Sequence, residues 1–204
     1  MIAEYDRDWY DQEPYLQNRW RGWPIVKHPN DLFAYQEIIS ETRPDLIVET
    51  GTYQGGSALF FADMLKINYL EDSRVLTVDL APAEPLPKNQ FIEYLVGLSS
   101  TDLRVLEQVR QRAAGKKTMV VLDSDHRAAH VLKELQLYSP LVSKGCYLIV
   151  EDTHPLALYD NVEDGMAAAA VRKWNPGKHG FETDKDRERF LFSQNPNGFL
   201  KKVR

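Results

Sequence analysis

Four short apolar runs, each closing on a carboxylate, constrain this chain most: Leu46 to Glu49, Val75 to Asp79, Met119 to Asp123 and Tyr147 to Glu151. Strands covered by helices on both faces of a parallel sheet read as continuous Val/Ile/Leu stretches. Between the runs lie segments of helical period: Ser57 to Leu70, Leu103 to Ala113, and Ala128 to Tyr138 with Val131, Leu132 and Leu135 on one face. This alternation is the pattern of stacked βαβ units. A weaker fifth strand is expected over Phe91 to Val96. Upstream, Asn30 and Asp31 read as the cap and first-turn acid of a helix through Glu41, with Leu32, Tyr35, Ile38 and Ile39 as its apolar stripe and Pro44 as its stop. Downstream, Val162 to Trp174 reads as a helix, and Phe190 to Ser193 with Phe199 to Val203 as a hairpin across Gln-Asn-Pro-Asn-Gly.

Open parallel sheets bind ligands outside the carboxyl ends of their strands, so the four acids are expected to converge on one edge. Any one of them could simply cap the following helix; four together point to a site. After the first run comes Glu49-Thr50-Gly51-Thr52-Tyr53-Gln54-Gly55-Gly56-Ser57. Its glycines permit positive φ and let a ligand approach the backbone. The loop is neither Gly-x-Gly-x-x-Gly nor a P-loop, and it has no lysine or arginine for a pyrophosphate. Glu49 would repel phosphate but attract an ammonium and a neighbouring sulfonium, which selects S-adenosylmethionine over a dinucleotide. Asp79 stands where a carboxylate can accept both ribose hydroxyls.

The second constellation is Asp123-Ser124-Asp125-His126 after one strand and Glu151-Asp152-Thr153-His154 after the next. Clustered carboxylates repel one another unless a cation or shared protons compensate, and hard oxygens from adjacent strand ends suit Mg²⁺ or another divalent cation. Asp123, Glu151 and Asp152 form the best trio. A metal there would lower the pKa of a substrate hydroxyl, with the proton acceptor open among His126, His154 and Asp125.

At 204 residues the chain suits one domain over 1–204, an aromatic-rich segment and helix (1–43) preceding the α/β core (44–204). The net charge of −5 and scattered lysine pairs argue against nucleic acid. The start has no signal-like apolar region, and no run approaches the roughly 20 apolar residues of a membrane span. The lone cysteine, Cys146, lies in an apolar run and points to a reducing, cytoplasmic compartment.

Pro44 to Gly51 with Gly55-Gly56-Ser57, then Leu122-Asp123-Ser124-Asp125-His126, then Glu151-Asp152-Thr153, resemble the cephalosporin hydroxylase / rhamnosyl O-methyltransferase family, from about Trp20 through Leu200. The resemblance implies a class I S-adenosylmethionine-dependent methyltransferase: an α/β, Rossmann-like, seven-stranded, mostly parallel sheet with helices on both faces and a C-terminal β-hairpin. It implies cofactor contacts at Glu49, Gly51, Thr52, Tyr53, Gly55, Ser57, Asp79, Ser99 and Asp123. It assigns the metal to Asp123, Glu151 and Asp152. The more distantly similar catechol O-methyltransferases carry a lysine three positions after the first metal Asp, where this chain has His126. The catalytic roles of His126 and His154 beside Asp123 therefore rest on their place in the acidic cluster. The implied reaction is Mg-assisted O-methylation of a sugar or hydroxylated natural product by a homo-oligomer. Two other readings are a non-catalytic S-adenosylmethionine-binding protein and the redox enzyme of the family's label. The intact acidic trio opposes the first, and the absence of a two-His facial triad or dinucleotide loop opposes the second.

Overall fold

The computed structural model describes residues 2–154 and 166–204. The chain opens with helix α1 (Ile2–Gln12), a 3₁₀ turn (Pro14–Gln17) and a two-residue hairpin, β1 (Arg19–Trp20) with β2 (Trp23–Pro24). Then follow α2 (Pro29–Thr42), β3 (Leu46–Thr50), α3 (Gly56–Ile67), β4 (Arg74–Asp79), β5 (Ile92–Val96) and α4 (Leu103–Ala113). The remainder is β6 (Thr118–Leu122), α5 (Ala128–Tyr138), β7 (Tyr147–Val150), α6 (Ala167–Trp174), β8 (Phe181–Thr183) and β9 (Phe199–Lys202).

Seven strands form one sheet in the order β5-β4-β3-β6-β7-β9-β8, parallel except for β9, which runs antiparallel to both neighbours. The chain leaves β3 for β4 on one side and later returns to add β6 on the other, so the strand order reverses between β3 and β6. That switch point is where a Rossmann-like sheet opens its crevice. Register aligns the carboxyl ends: Thr50 pairs with Val78 and Leu122, and Leu122 with Val150.

Side chains alternate across the sheet with the two-residue period of a strand. Val48, Leu76, Val120 and Leu148 face α4, α5 and α6. Ile47, Val75, Met119 and Ile149 face α2 and α3. Burying each such aliphatic side chain stabilises the fold by roughly 1.5–3 kcal/mol, and the doubly covered sheet explains why these strands read as unbroken apolar runs. Among the described residues, no helix is long and apolar enough to cross a membrane.

Three expectations change. The cap of α2 is His28, whose Nδ1 accepts the Asn30 N–H at 3.1 Å, with Pro29 in the first turn, where its missing N–H costs nothing. Asp31 is the first-turn acid, as expected, but it is buried and accepts from Ser193 Oγ (2.6 Å) and the Gln194 N–H (2.9 Å). The C-terminal hairpin exists, but β9 pairs with Phe181–Thr183, not with 190–193. Leu191 has φ +68 and the Asn30 side chain donates to the Phe192 carbonyl, so this stretch is tied to α2 as a loop. Finally, α6 begins at Ala167; Val162 to Gly165 lie outside the described residues.

Candidate active site

The β3–α3 turn is shaped by a backbone crowding that only glycine accommodates. Gly51 has φ +90, and a Cβ there would stand 1.8 Å from the Asp123 carbonyl oxygen. The ends of β3 and β6 are thereby drawn together. Gly56 is equally tight, its missing Cβ lying 1.9 Å from the Pro24 carbonyl, so the amino-terminal segment seats against the start of α3. Tyr53 carries a left-handed φ of +46, held as its N–H donates to Asp79 Oδ2 at 2.9 Å. The other Asp79 oxygen accepts the Ala81 N–H at 2.8 Å, so the carboxylate has a fixed direction at the end of β4.

Glu49 is fully buried. Its Oε2 accepts from Thr77 Oγ1 at 2.6 Å, and Thr77 also contacts Thr52 Oγ1 at 2.7 Å. Its Oε1 has no partner among the described residues. Burial pushes the Glu49 carboxyl up to about 7, against the pull of Lys27. An orphaned buried carboxylate oxygen is costly unless a ligand meets it, which fits the ammonium expected from the sequence. Ser57 is buried in the first turn of α3, and Gly55 supplies the left-handed cap before it.

Two cavities meet at this turn. One, of about 500 Å³, is lined by Asp79, Leu80, Ser99, Ser100, Asp125 and His130, among others. The other, of about 260 Å³, is lined by Leu16, Ile25, Lys27, Ser57, His126 and Asp152, among others. Gly51, Tyr53, Asp123 and Ser124 line both. Within the larger cavity His130 Nε2 lies 3.1 Å from both Ser100 Oγ and Ser124 Oγ, and Ser124 donates to buried Glu134 at 2.8 Å.

At the smaller cavity, ligand atoms of Asp123, His126 and Asp152 lie within 4.8 Å of one another. His126 Nε2 is 3.1 Å from Asp152 Oδ2 and 3.8 Å from Asp123 Oδ1. Burial alone would lower the His126 pKa, but Asp152, Asp123 and Glu151 hold it above the ordinary value. Burial raises all three carboxyls. The two carboxylates suit a hard divalent cation, which prefers oxygen ligands, and His126 stands beside them as a group that can take a proton. Glu151, grouped with the aspartates by sequence, is 4% exposed, and its Oε1 accepts from Lys27 Nζ and Tyr35 OH, both at 2.6 Å. His154 stands apart from both cavity linings, stacked on Tyr10 at 5.4 Å and tilted against Phe192 at 5.3 Å.

Sequence reasoning missed the props of this cluster. Lys27 is buried and bridges Glu151 to Asp123, reaching Oδ2 of the latter at 2.7 Å. Asp152 has φ +52, a left-handed conformation that Asp tolerates better than most residues. Its N–H donates to Asn195 Oδ1 at 3.0 Å, and Asn195 Nδ2 reaches Tyr35 OH at 3.3 Å. The Gln-Asn-Pro-Asn-Gly stretch is therefore a buttress of the acidic cluster. An asparagine before proline reads locally as a turn, and one lysine as a surface residue; no local signal separates these roles.

Comparison with known proteins gives the family. Residues 13–203 match the family model described as Rhamnosyl O-methyltransferase/CmcI. A rhamnosyl O-methyltransferase of Mycobacterium leprae is 35% identical over 211 residues, covering 98% of this chain and 90% of the relative. Its Mycobacterium tuberculosis counterpart is 34% identical over 210 residues, covering 98% and 84%. A structure of CmcI with Mg and SAM superimposes with a TM-score of 0.68 at 23% identity, over 93% of this chain and 78% of that one, a likeness of fold. Matched by the family model over residues 13–203 and by these relatives over nearly its whole length, the chain belongs to the rhamnosyl O-methyltransferase/CmcI family.

Proposed function

We propose that this protein is an S-adenosylmethionine-dependent, Mg-assisted O-methyltransferase acting on a hydroxyl of a sugar or a hydroxylated natural product. The observation that carries the reading is the Asp123–His126–Asp152 cluster at a cavity that shares Gly51, Tyr53, Asp123 and Ser124 with the cavity of Asp79, with the unpartnered Glu49 oxygen buried two residues before Gly51. The family relatives named rhamnosyl O-methyltransferase favour a deoxysugar hydroxyl as acceptor.

When bound, S-adenosylmethionine supplies the methyl group and leaves as a neutral thioether, while a divalent ion at Asp123, Asp152 and Glu151 supplies the charge that acidifies a hydroxyl. The chain's own residues do the positioning. Glu49 Oε1 takes the ammonium, and Asp79, fixed by two backbone N–H groups, takes the ribose hydroxyls. Ser99 and Ser100 lie where the adenine edge would sit. The acceptor enters the smaller cavity past Leu16 and Ile25. Its oxygen takes the methyl group and its proton passes to His126, for which Asp152 fixes the imidazole direction.

We also read residues 1–204 as one methyltransferase unit whose first 43 residues cover the acceptor side. Buried, unpaired Cys146 supports a reducing, cytoplasmic setting. Exposed Phe33, Phe190 and Leu191 on neighbouring surface support a homo-oligomer.

The test is methyl transfer from S-adenosylmethionine to a panel of rhamnosides and other polyhydroxylated acceptors, followed by release of S-adenosylhomocysteine. Turnover that a chelator stops and Mg²⁺ restores is expected. Cofactor binding with turnover indifferent to chelation would remove the metal from the reading.

A further inference from the structure

The acidic cluster contains a positive charge of its own. Lys27 follows β2 and precedes α2, yet its ammonium lies at the ends of β6 and β7, 2.7 Å from Asp123 Oδ2 and 2.6 Å from Glu151 Oε1. Its side chain is 2% exposed. A lysine is almost never buried this fully without compensation, because desolvation and the loss of rotamer freedom both oppose it. Here two carboxylates compensate, and Tyr35 donates to the same Glu151 oxygen.

The division of oxygens matters. Lys27 takes Oδ2 of Asp123, while Oδ1 points toward His126. Both bonds to Glu151 fall on Oε1, leaving Oε2 as the oxygen it can offer outward. Asp152 is held separately, by Asn195 on its backbone and His126 on its side chain. Lys27 borders the same cavity as Asp123, His126 and Asp152, but its contacts fall on Asp123 Oδ2 and Glu151 Oε1, so Asp123 Oδ1 and the Asp152 carboxylate are left to face His126. Three carboxylates would be neutralised in full by one ammonium plus one divalent ion, and by neither alone.

We propose that Lys27 is the resident counter-ion of the metal centre: it keeps Asp123 and Glu151 oriented and compensated in the metal-free protein, and shares their charge when the divalent ion arrives. The second half rests on the proposed function; the first does not. Lys27 acts through the carboxylates and is therefore a positioning residue. Its compact ammonium suits two single-oxygen contacts at an angle, where a planar guanidinium would seek a bidentate partner.

The test is thermal unfolding of the full chain as wild type, Lys27→Met, Glu151→Gln and the double variant, each in chelator and in Mg²⁺. In chelator, Lys27→Met should melt roughly 6–20 °C below wild type, because a broken buried pair leaves an uncompensated charge. Mg²⁺ should return most of that loss while moving wild type much less. Adding Glu151→Gln to Lys27→Met should also relieve the loss in chelator, since it deletes the orphaned charge. If Lys27→Met alone fails to fold, the double variant decides: folding supports the proposal and failure overturns it. A loss equal with and without Mg²⁺, or unrelieved by Glu151→Gln, would make Lys27 a packing residue only. Failure of the proposed function would appear separately, as a wild type that binds neither S-adenosylhomocysteine nor Mn²⁺ by calorimetry.

Discussion

The cofactor side of the crevice and the acidic side are built at different ranges of sequence. Glu49, Thr52 and Tyr53 are organised by Thr77 and Asp79, residues 25 to 28 positions away on the adjacent parallel strand. The acidic side needs Lys27, 96 positions from Asp123 and 124 from Glu151, Tyr35, 116 from Glu151, and Asn195, 43 from Asp152. A ligand's neutral and singly charged parts can be received by a βα turn and its neighbour. A cluster of buried carboxylates cannot stand on local structure, because each added acid raises the cost of the others and compensation must be imported. The two halves should therefore fail independently.

The largest expected effect is on the acidic side. Asp123→Ala should lower methyl transfer by about 10²- to 10³-fold, the order seen when charge stabilisation is removed from a transition state, while S-adenosylhomocysteine affinity changes by only about a few-fold. Equal losses in both would break the separation.

Next comes Glu49→Gln. Losing a charge-assisted hydrogen bond should weaken S-adenosylhomocysteine binding by roughly 10- to 100-fold and leave Mn²⁺ binding unchanged. The wild type should also show a pH signature. The Glu49 carboxyl, pushed up to about 7 by burial, must ionise to receive an ammonium. Affinity should therefore fall by up to about tenfold per pH unit below 7 and level off above it. Glu49→Gln should flatten that profile, and an unchanged slope would move the ammonium elsewhere.

Asn195→Ala removes the acceptor from the Asp152 N–H, which should cost about 1–3 kcal/mol of stability by denaturant titration. It should raise the Mg²⁺ concentration needed for half-maximal turnover without moving cofactor affinity. A shift in both would mean that the buttress supports the whole crevice.

The smallest effect sharpens the same border from α2. Burial pushes the Asp31 carboxyl up to about 7, above its unfolded value of 3.8. A folded-state pKa raised in this way favours folding at low pH, and the benefit is lost as pH rises from about 4 to about 7. Asp31→Asn should gain stability relative to wild type at pH 8 compared with pH 5, with a slope of at most about 1.4 kcal/mol per pH unit. An unchanged difference would place the charge outside the buried layer.

How much of this was legible in the sequence follows the same border. Parallel strands buried on both faces reveal themselves by composition, so the four apolar runs marked β3, β4, β6 and β7, and α4 and α5 ended where their periodicity did. The Gly51 turn was readable because close backbone approach leaves a glycine signature. Tyr35 entered the sequence reading as part of an apolar stripe, and only the fold reveals that its hydroxyl meets Glu151. The 190–193 stretch has strand-like composition, but its backbone is claimed by Asn30, a contact spanning 162 positions at Phe192. Long-range polar satisfaction leaves no periodicity to read. It decided both the false hairpin partner and the unseen lysine.

The most direct test of the account is calorimetric titration of S-adenosylmethionine into the wild-type protein, once in chelator and once in Mg²⁺. The account predicts saturable one-site binding in both, because Glu49 and Asp79 are held by Thr77 and by backbone N–H groups rather than by a metal. Binding in neither would contradict it.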